Sequence, residues 1–223
     1  MTGQGPRPHR VSIVIPVYQG AQTLGALVQE IKQLTIPTST AGGHEFQVIE
    51  VLLVNDQGPD QSGVVIRELA LAHDFVRPVW LSRNFGQHPA TLAGMASSSG
   101  DWIVTMDEDG QHDPADIGAF LDVALRAGSQ LVYADPVNRP PHHVLRNASS
   151  RLAKWVFSTF LTGTNDGVFQ SYRMVLGEIG RSVAAYAGSG VYLDVAMGWV
   201  AGPTASCPVR LRNEGERRSG YST

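Results

Sequence analysis

The residues best suited to chemistry are Met106-Asp107-Glu108-Asp109-Gly110-Gln111-His112-Asp113-Pro114. Two aspartates flank one residue at the end of an apolar run. If the strand continues, alternation puts Asp107 and Asp109 on the same side. Such a pair suits a hard cation, Mg²⁺ or Mn²⁺, which takes oxygen ligands and keeps positions open for substrate phosphates. The metal would neutralise a diphosphate leaving group. A solvated acidic turn has the same spacing. The apolar strand before the triplet and Pro114, placed to open a helix, favour a site. His112 reads equally as a further ligand and as a polar loop histidine. Asp56 lies in a second polar cluster, Asn55-Asp56-Gln57-Gly58-Pro59-Asp60. That cluster reads as a turn with Asp60 capping a helix. Alternatively, the Asp56 carboxylate accepts hydrogen bonds from a nucleobase N–H.

The elements that must carry these groups alternate between strand and helix patterns. Val11–Tyr18, Val48–Val54, Val76–Leu81 and Trp102–Met106 are short apolar or β-branched runs. Between them lie a helix after Thr23, a helix over Asp60–His73 and a small-residue helix over Pro89–Ser98, with Thr35–Glu45 as a loop. Thr23 is placed to cap the first helix, whose apolar face is Leu24, Leu27, Val28 and Ile31. This alternation predicts an α/β fold, a mostly parallel central sheet with helices on both faces. Ligands in such folds bind beyond the carboxyl ends of the strands. The polar clusters fall there: Asn55-Asp56, Ser82-Arg83-Asn84 and Asp107-Glu108-Asp109.

A chain of 223 residues, 43% hydrophobic and 17% charged, is a globular sequence with room for one sizeable core. A formal net charge of -3 argues against nucleic-acid binding. The single cysteine, Cys207, excludes an internal disulfide and a Cys/His metal site, and fits a reducing, cytoplasm-facing setting. No apolar run reaches the ~18 residues that span a bilayer. We expect residues 1–10 to be a flexible N-terminus and 11–223 a single domain, with Pro136–His143 too short a linker to divide it. The chain stops within a C-terminal motif, so we expect the natural protein to continue into a membrane segment.

Four stretches, IVIPVYQG, LVNDQGPDQS, LSRNFGQHPATLAGMASSSGD and VTMDEDGQHDP, occur in this order with suitable gaps. Together they resemble the GT-A (Rossmann-like nucleotide-diphospho-sugar transferase) domain of family 2 glycosyltransferases. The branch they look most like contains dolichol-phosphate mannose synthase and the bacterial polyprenyl-phosphate glycosyltransferases. The stretch Asn213–Ser222, NEGERRSGYS, resembles that branch's E-R-x-x-G-x-S-x-Y segment, which usually precedes transmembrane helices. The resemblance covers residues 10 to 222. It implies that Pro16, Tyr18 and Asp56 line the nucleotide-base pocket, that Asp107 contacts the nucleotide or its ribose and that Asp109 binds the metal. Arg83 would sit near the donor diphosphate, and Arg217 or Arg218 would close over phosphate. Two departures stand out. The family often has Asp-Gly-Ser where this chain has Asp56-Gln57-Gly58, so the turn's backbone is expected to differ. Glu108 replaces a commoner alanine, adding charge that bears on metal choice.

The same resemblance places Asp166, before Tyr172-Arg173, as the catalytic carboxylate. An inverting transferase with a hydroxyl acceptor needs such a base. A phosphate acceptor, mostly dianionic at pH 7 without help, would leave Asp166 to orient it. Asp166 also reads as a turn aspartate, and Asp194 is its rival as base. Val144–Leu161 has helical apolar spacing with only positive charges, Arg146, Arg151 and Lys154. It reads as an ordinary packed helix or as a basic amphipathic helix at a membrane interface. Within the family, Arg146 and Arg151 become acceptor-phosphate contacts. Trp80, Trp102 and Trp199 are read as core, with Trp199 the nearest to an exception. The expectation is an inverting, metal-dependent transferase that moves a sugar from a nucleotide-diphosphate donor, a UDP-sugar preferred, to a polyprenyl phosphate at the cytoplasmic face of the membrane. The alternatives are transfer to a hydroxyl of a saccharide or small molecule, and a catalytically degenerate nucleotide-binding or scaffold domain.

Overall fold

The computed structural model describes residues 7–138, 171–188, 190 and 192–212. The first strands are β1 (His9–Val17), β2 (Thr38–Ser39), β3 (Glu45–Asn55), β4 (Val76–Trp80) and β5 (Trp102–Thr105). Helices α1 (Leu24–Lys32), α2 (Ser62–Ala72) and α3 (Gln87–Ala96) connect them. After β5 come a 3₁₀ turn at Pro114–Asp116, α4 (Ile117–Ala127) and β6 (Leu131–Pro136). The order ends with β7 (Arg173–Leu176), α5 (Gly177–Tyr186), α6 (Leu193–Val200) and β8 (Thr204–Val209).

One sheet runs β2-β3-β1-β5-β7-β6-β8, with β4 also on β3. The pairs β1–β3, β1–β5, β3–β4 and β6–β8 are parallel, while β7 is antiparallel to both β5 and β6. The central strands are largely apolar because both faces are covered, and the buried polar pair within them satisfies itself, Ser12 Oγ donating to Glu50 Oε1 (2.6 Å). Val11, Ile13, Ile15 and Val17 of β1 pack with α1, Ile66 of α2, and Phe120 and Leu121 of α4. Val14 points the other way, with Leu52 and Val54 of β3, onto α3, α5 and α6. The small residues of α3 permit close seating. A Cβ on Gly94 would lie 2.4 Å from Val14 Cγ1.

The strands and helices expected up to β5 are present, with shifted ends. The segment expected as a loop over Thr35–Glu45 holds β2, antiparallel to the first residues of β3, so β3 starts at Glu45 and not at Val48. Thr23 stands at the N-cap of α1, but its hydroxyl donates to the Gly20 carbonyl and caps no amide. Of the tryptophans read as core, only Trp102 is buried. Trp80 on the outermost parallel strand is 42% exposed beneath the Arg67 guanidinium, and Trp199 is 54% exposed. Most of Pro136–His143 and all of Val144–Leu161 lie outside the described residues. Among the described residues, no helix is long and apolar enough to cross a membrane.

Candidate active site

The parallel strands β1, β3 and β5 end side by side, and their following loops carry the polar groups. Pro16 is buried in β1 past the last β1–β5 register pair, Val14–Thr105. Its missing N–H therefore leaves that ladder intact. Tyr18, half-buried, follows at the strand end. At the end of β3, Asp56 is fully buried and accepts hydrogen bonds from Phe85 N (2.8 Å) and Gly86 N (2.9 Å). Its carboxylate ties the β3 end to the loop that precedes α3. A nucleobase would share an acceptor already engaged by that loop, which a carboxylate with about four lone-pair sites permits.

Gln57, next in line, has φ 52°, the positive value seen at no other non-glycine residue among those described. Its side chain donates to the Leu81 carbonyl (2.8 Å). The following glycine is needed for space. A Cβ on Gly58 would lie 1.3 Å from the Tyr18 carbonyl oxygen. Gly58→Ala therefore requires the Tyr18 backbone to move. We expect a stability loss of about 1–3 kcal/mol, the usual cost of overpacking, and weaker nucleotide binding. Thermal melts and calorimetry would check both.

Along the triplet, Asp107 and Asp109 are half-exposed and Glu108 is buried, but β5 ends at Thr105 and Glu108-Asp109 lie in a turn, so the continued strand expected there is absent and the turn sets these directions. The Asp107 carboxylate accepts from Gln87 Nε2 (2.6 Å) through Oδ1 and from Ser171 Oγ (2.6 Å) through Oδ2. Asp109 Oδ1 accepts from the Gln111 amide (3.0 Å), a local turn that sets the carboxylate's direction, and Gly110 supplies the positive φ of 78°. Glu108 faces away from both. Its oxygens accept from Tyr18 N and Gln19 N, each at 2.9 Å. Burial pushes the Glu108 carboxyl up to about 7, against the two amide bonds that pull it down.

His112 is turned inward. Its Nδ1 accepts from the Asp107 amide (2.9 Å), which leaves the proton of a neutral ring on Nε2, and the ring stacks on Tyr172 at 4.6 Å. Tyr172 in turn donates to the Asp113 carbonyl (2.6 Å). This geometry supports the acidic loop from below. Deeper still, Arg173 and Asp194 form an ion pair, each 3% exposed, with Thr105 Oγ1 accepting from Arg173 Nε (3.3 Å). Burial alone would lower the pKa of Arg173. Asp194, with Tyr133 and Asp107 behind it, raises it above the ordinary arginine value.

The sequence profile described as Glycosyl transferase family 2 matches residues 12–179. The chain belongs to that family. Its fold is the GT-A glycosyltransferase fold, shared with the mannosyl-3-phosphoglycerate synthase of Rubrobacter xylanophilus at a TM-score of 0.60 and 18% identity, over 94% of this chain and 68% of that one. A glucosyl-3-phosphoglycerate synthase of Mycobacterium tuberculosis, solved with Mn²⁺, UDP-glucose and phosphoglyceric acid, matches at 0.59 and 16%, over 94% and 73%. Among curated family 2 relatives, a prophage bactoprenol glucosyl transferase homolog of Escherichia coli K12 is 23% identical over 87% of this chain. An undecaprenyl-phosphate 4-deoxy-4-formamido-L-arabinose transferase of Yersinia pestis (strain Pestoides F) is 35% identical over 64% of it. The matches span 61% of the first relative and 41% of the second.

Within this family 2 domain, Pro16, Tyr18, Asp56, Asp107 and Asp109 gather at neighbouring strand ends. Arg83 lies exposed on the loop held by Asp56, its guanidinium 4.8 Å from the centre of the Phe85 ring. Asp166, Arg146, Arg151, Arg217 and Arg218 lie outside the described residues. Among the described residues no three His, Cys, Asp or Glu side chains converge on a metal position. A donor-completed site does not require three. Mg²⁺-type sites commonly use one or two carboxylates and take the rest from phosphates and water. The half-exposed Asp109, with the half-exposed Asp107 two residues before it, fits that pattern. Sequence reasoning missed Gln87, Ser171 and the Arg173–Asp194 pair as supports. Gln87 stands in the quoted stretch LSRNFGQ, but nothing in its spacing points to Asp107.

The chain beyond β8 is fastened to this site. Arg212 N donates to the Gln111 carbonyl (2.9 Å), and its guanidinium meets Glu30 (2.7 Å) and Asp113 (2.8 Å). Leu211 and Asn138 exchange two hydrogen bonds at 2.9 and 2.8 Å.

Proposed function

We propose that this chain is the catalytic domain of an inverting, metal-dependent glycosyltransferase. It takes a sugar from a nucleotide-diphosphate donor, a UDP-sugar preferred, and passes it to a polyprenyl phosphate at the cytoplasmic face of the membrane. The observation that carries the reading is the half-exposed Asp107 and Asp109 at the end of β5, beside Tyr18 and Asp56 on the adjoining strand ends. The bactoprenol and undecaprenyl-phosphate transferases among the relatives support the acceptor. The neighbour solved with Mn²⁺ and UDP-glucose supports the donor and the cation.

In this reading Tyr18 and Asp56 receive the base, and Asp107, oriented by Gln87 and Ser171, meets the nucleotide on its ribose side. Asp109 would hold Mg²⁺ or Mn²⁺, whose charge offsets that of the leaving diphosphate. Arg83, and Arg217 or Arg218, add positive charge toward the same phosphates. The sugar's C1–O bond to the diphosphate breaks as an acceptor phosphate oxygen forms a new bond to C1 from the opposite face. Phosphate suits this arrangement, because its second pKa of about 6 leaves it a nucleophile at pH 7 without a base. Asp194, the rival base, is engaged in a buried pair with Arg173. Asp166 then orients the acceptor, with Arg146 and Arg151 toward its phosphate.

Calorimetry with UDP, GDP and dTDP, first in Mn²⁺ and then in chelator, tests the donor half. Tight binding of one nucleotide that weakens at least tenfold in chelator is expected. No binding of any of them would favour a degenerate domain. Transfer of radiolabelled sugar to undecaprenyl phosphate, but not to saccharide hydroxyls, tests the acceptor half.

A further inference from the structure

Four successive backbone amides after β1 each meet a side-chain oxygen from another element. Tyr18 N and Gln19 N donate to the two oxygens of Glu108, Gly20 N donates to Ser62 Oγ (2.9 Å) and Ala21 N donates to Asp60 Oδ2 (3.1 Å). Ser62 is held in turn, its hydroxyl donating to Asp60 Oδ1 (2.5 Å). Successive main-chain N–H groups of this kind form a concavity that attracts anions. Here the protein's own acids occupy it. Glu108 is 7% exposed, and each of its oxygens accepts one of these amides, so burial keeps its remaining lone pairs from a solvent-side cation. The fit is close, since a Cβ on Gly20 would lie 2.8 Å from Glu108 Oε2.

We propose that Glu108 is a positioning residue for the nucleotide, acting through the Tyr18–Gln19 backbone, and that it takes no part in metal binding. It joins the strand end that carries Asp107 and Asp109 to the loop that carries Tyr18, so the two halves of the donor site keep one spacing. With Tyr18 N and Gln19 N committed to Glu108, donor phosphate must find its positive partners elsewhere. The affinity part of this proposal rests on the donor site proposed above, whereas the clamp itself does not.

The test compares Glu108→Gln and Glu108→Ala with the parent chain. Gln keeps one acceptor oxygen and turns an NH₂ toward the other amide, so it disrupts the clamp with little change of volume. UDP affinity should fall on the order of tenfold or more, the scale of a charge-assisted hydrogen bond. The factor should be the same in Mn²⁺ and in chelator, with the half-saturating Mn²⁺ concentration unchanged. Unaltered UDP affinity, or a loss confined to Mn²⁺ with a shifted Mn²⁺ midpoint, overturns the proposal. The second outcome would make Glu108 a metal ligand. Residue-resolved amide exchange by NMR reads the clamp without any ligand. Tyr18 and Gln19 should exchange at least tenfold faster in both variants while the amides of β3 stay protected. Unchanged exchange at those two residues overturns the clamp. If the parent chain binds no nucleotide yet exchange accelerates as expected, the donor reading and the affinity part fail and the clamp stands.

Discussion

Asp109→Ala should remove the Mn²⁺-dependent part of UDP binding and lower the rate of sugar transfer by roughly 10³-fold. That is the scale for deleting one preorganised electrostatic group at a site of developing charge. The expectation follows from geometry. Asp109 is half-exposed at the open end of β5, and its direction is set by the Gln111 amide. Removing the carboxylate costs little packing, so the melting temperature should move by no more than a few degrees. Asp109→Asn, which keeps the turn but loses the charge, should behave like Asp109→Ala in metal dependence. Calorimetry in Mn²⁺ and in chelator separates the two contributions. Equal UDP affinity in Asp109→Ala and the parent chain, both in Mn²⁺, would remove Asp109 from the metal site.

Asp194→Ala should be the most damaging single change to stability among the polar residues. It leaves the Arg173 guanidinium, 3% exposed, without its partner carboxylate. Breaking a buried pair from one side costs about 3–5 kcal/mol, which in a domain of this size is roughly 10 °C in melting temperature. The double change Arg173→Met with Asp194→Leu removes both charges and should recover most of that loss, since a well-packed apolar pair is often as stable as a buried ionic one. Transfer activity should remain low in the double variant. Arg173 Nε also donates to Thr105 Oγ1 in the strand that leads to the triplet, so its loss loosens the floor of the site. A double variant no more stable than Asp194→Ala would place the effect elsewhere than in the unpaired charge.

The part of the fold legible in the sequence is the part with regular alternation. Val11–Val17 and Val51–Val54 announce themselves as buried strands because both faces of the sheet are covered and every position but Ser12 is apolar. The acidic strand end was legible for the same reason: polarity begins abruptly where Met106 ends a buried run. What lay hidden is what long-range packing decides. Nothing in the short run Arg173–Leu176 says that it pairs antiparallel between β5 and β6. Nothing local says that Glu108 turns inward to Tyr18 and Gln19 while its neighbours face out, because the strand has already ended at Thr105 and the turn sets their directions. Thr23 shows a limit of another kind. The residue type was right for a cap, but the Gly20 carbonyl was the nearer partner for its hydroxyl. Trp80 was misread because hydropathy does not reveal that its strand lies at an edge of the parallel sheet.

The placement of β7 also bears on how the chain reaches this state. Strands β1, β3, β4 and β5 follow one another closely in sequence and join through short helical crossovers, so they can assemble as they emerge. By contrast, β6 and β8 connect to that group through β7. The contact that joins the halves, Arg173 to Thr105, spans 68 residues. Closing a loop of that length loses chain entropy before any contact repays it, and such pairings are formed late. The same late event delivers Ser171 to Asp107 and sets the Arg173–Asp194 pair against Thr105. A chain halted short of it would hold the acidic strand end by Gln87, His112 and the Glu108 contacts, without Ser171 on Asp107 or the Arg173–Asp194 pair behind Thr105.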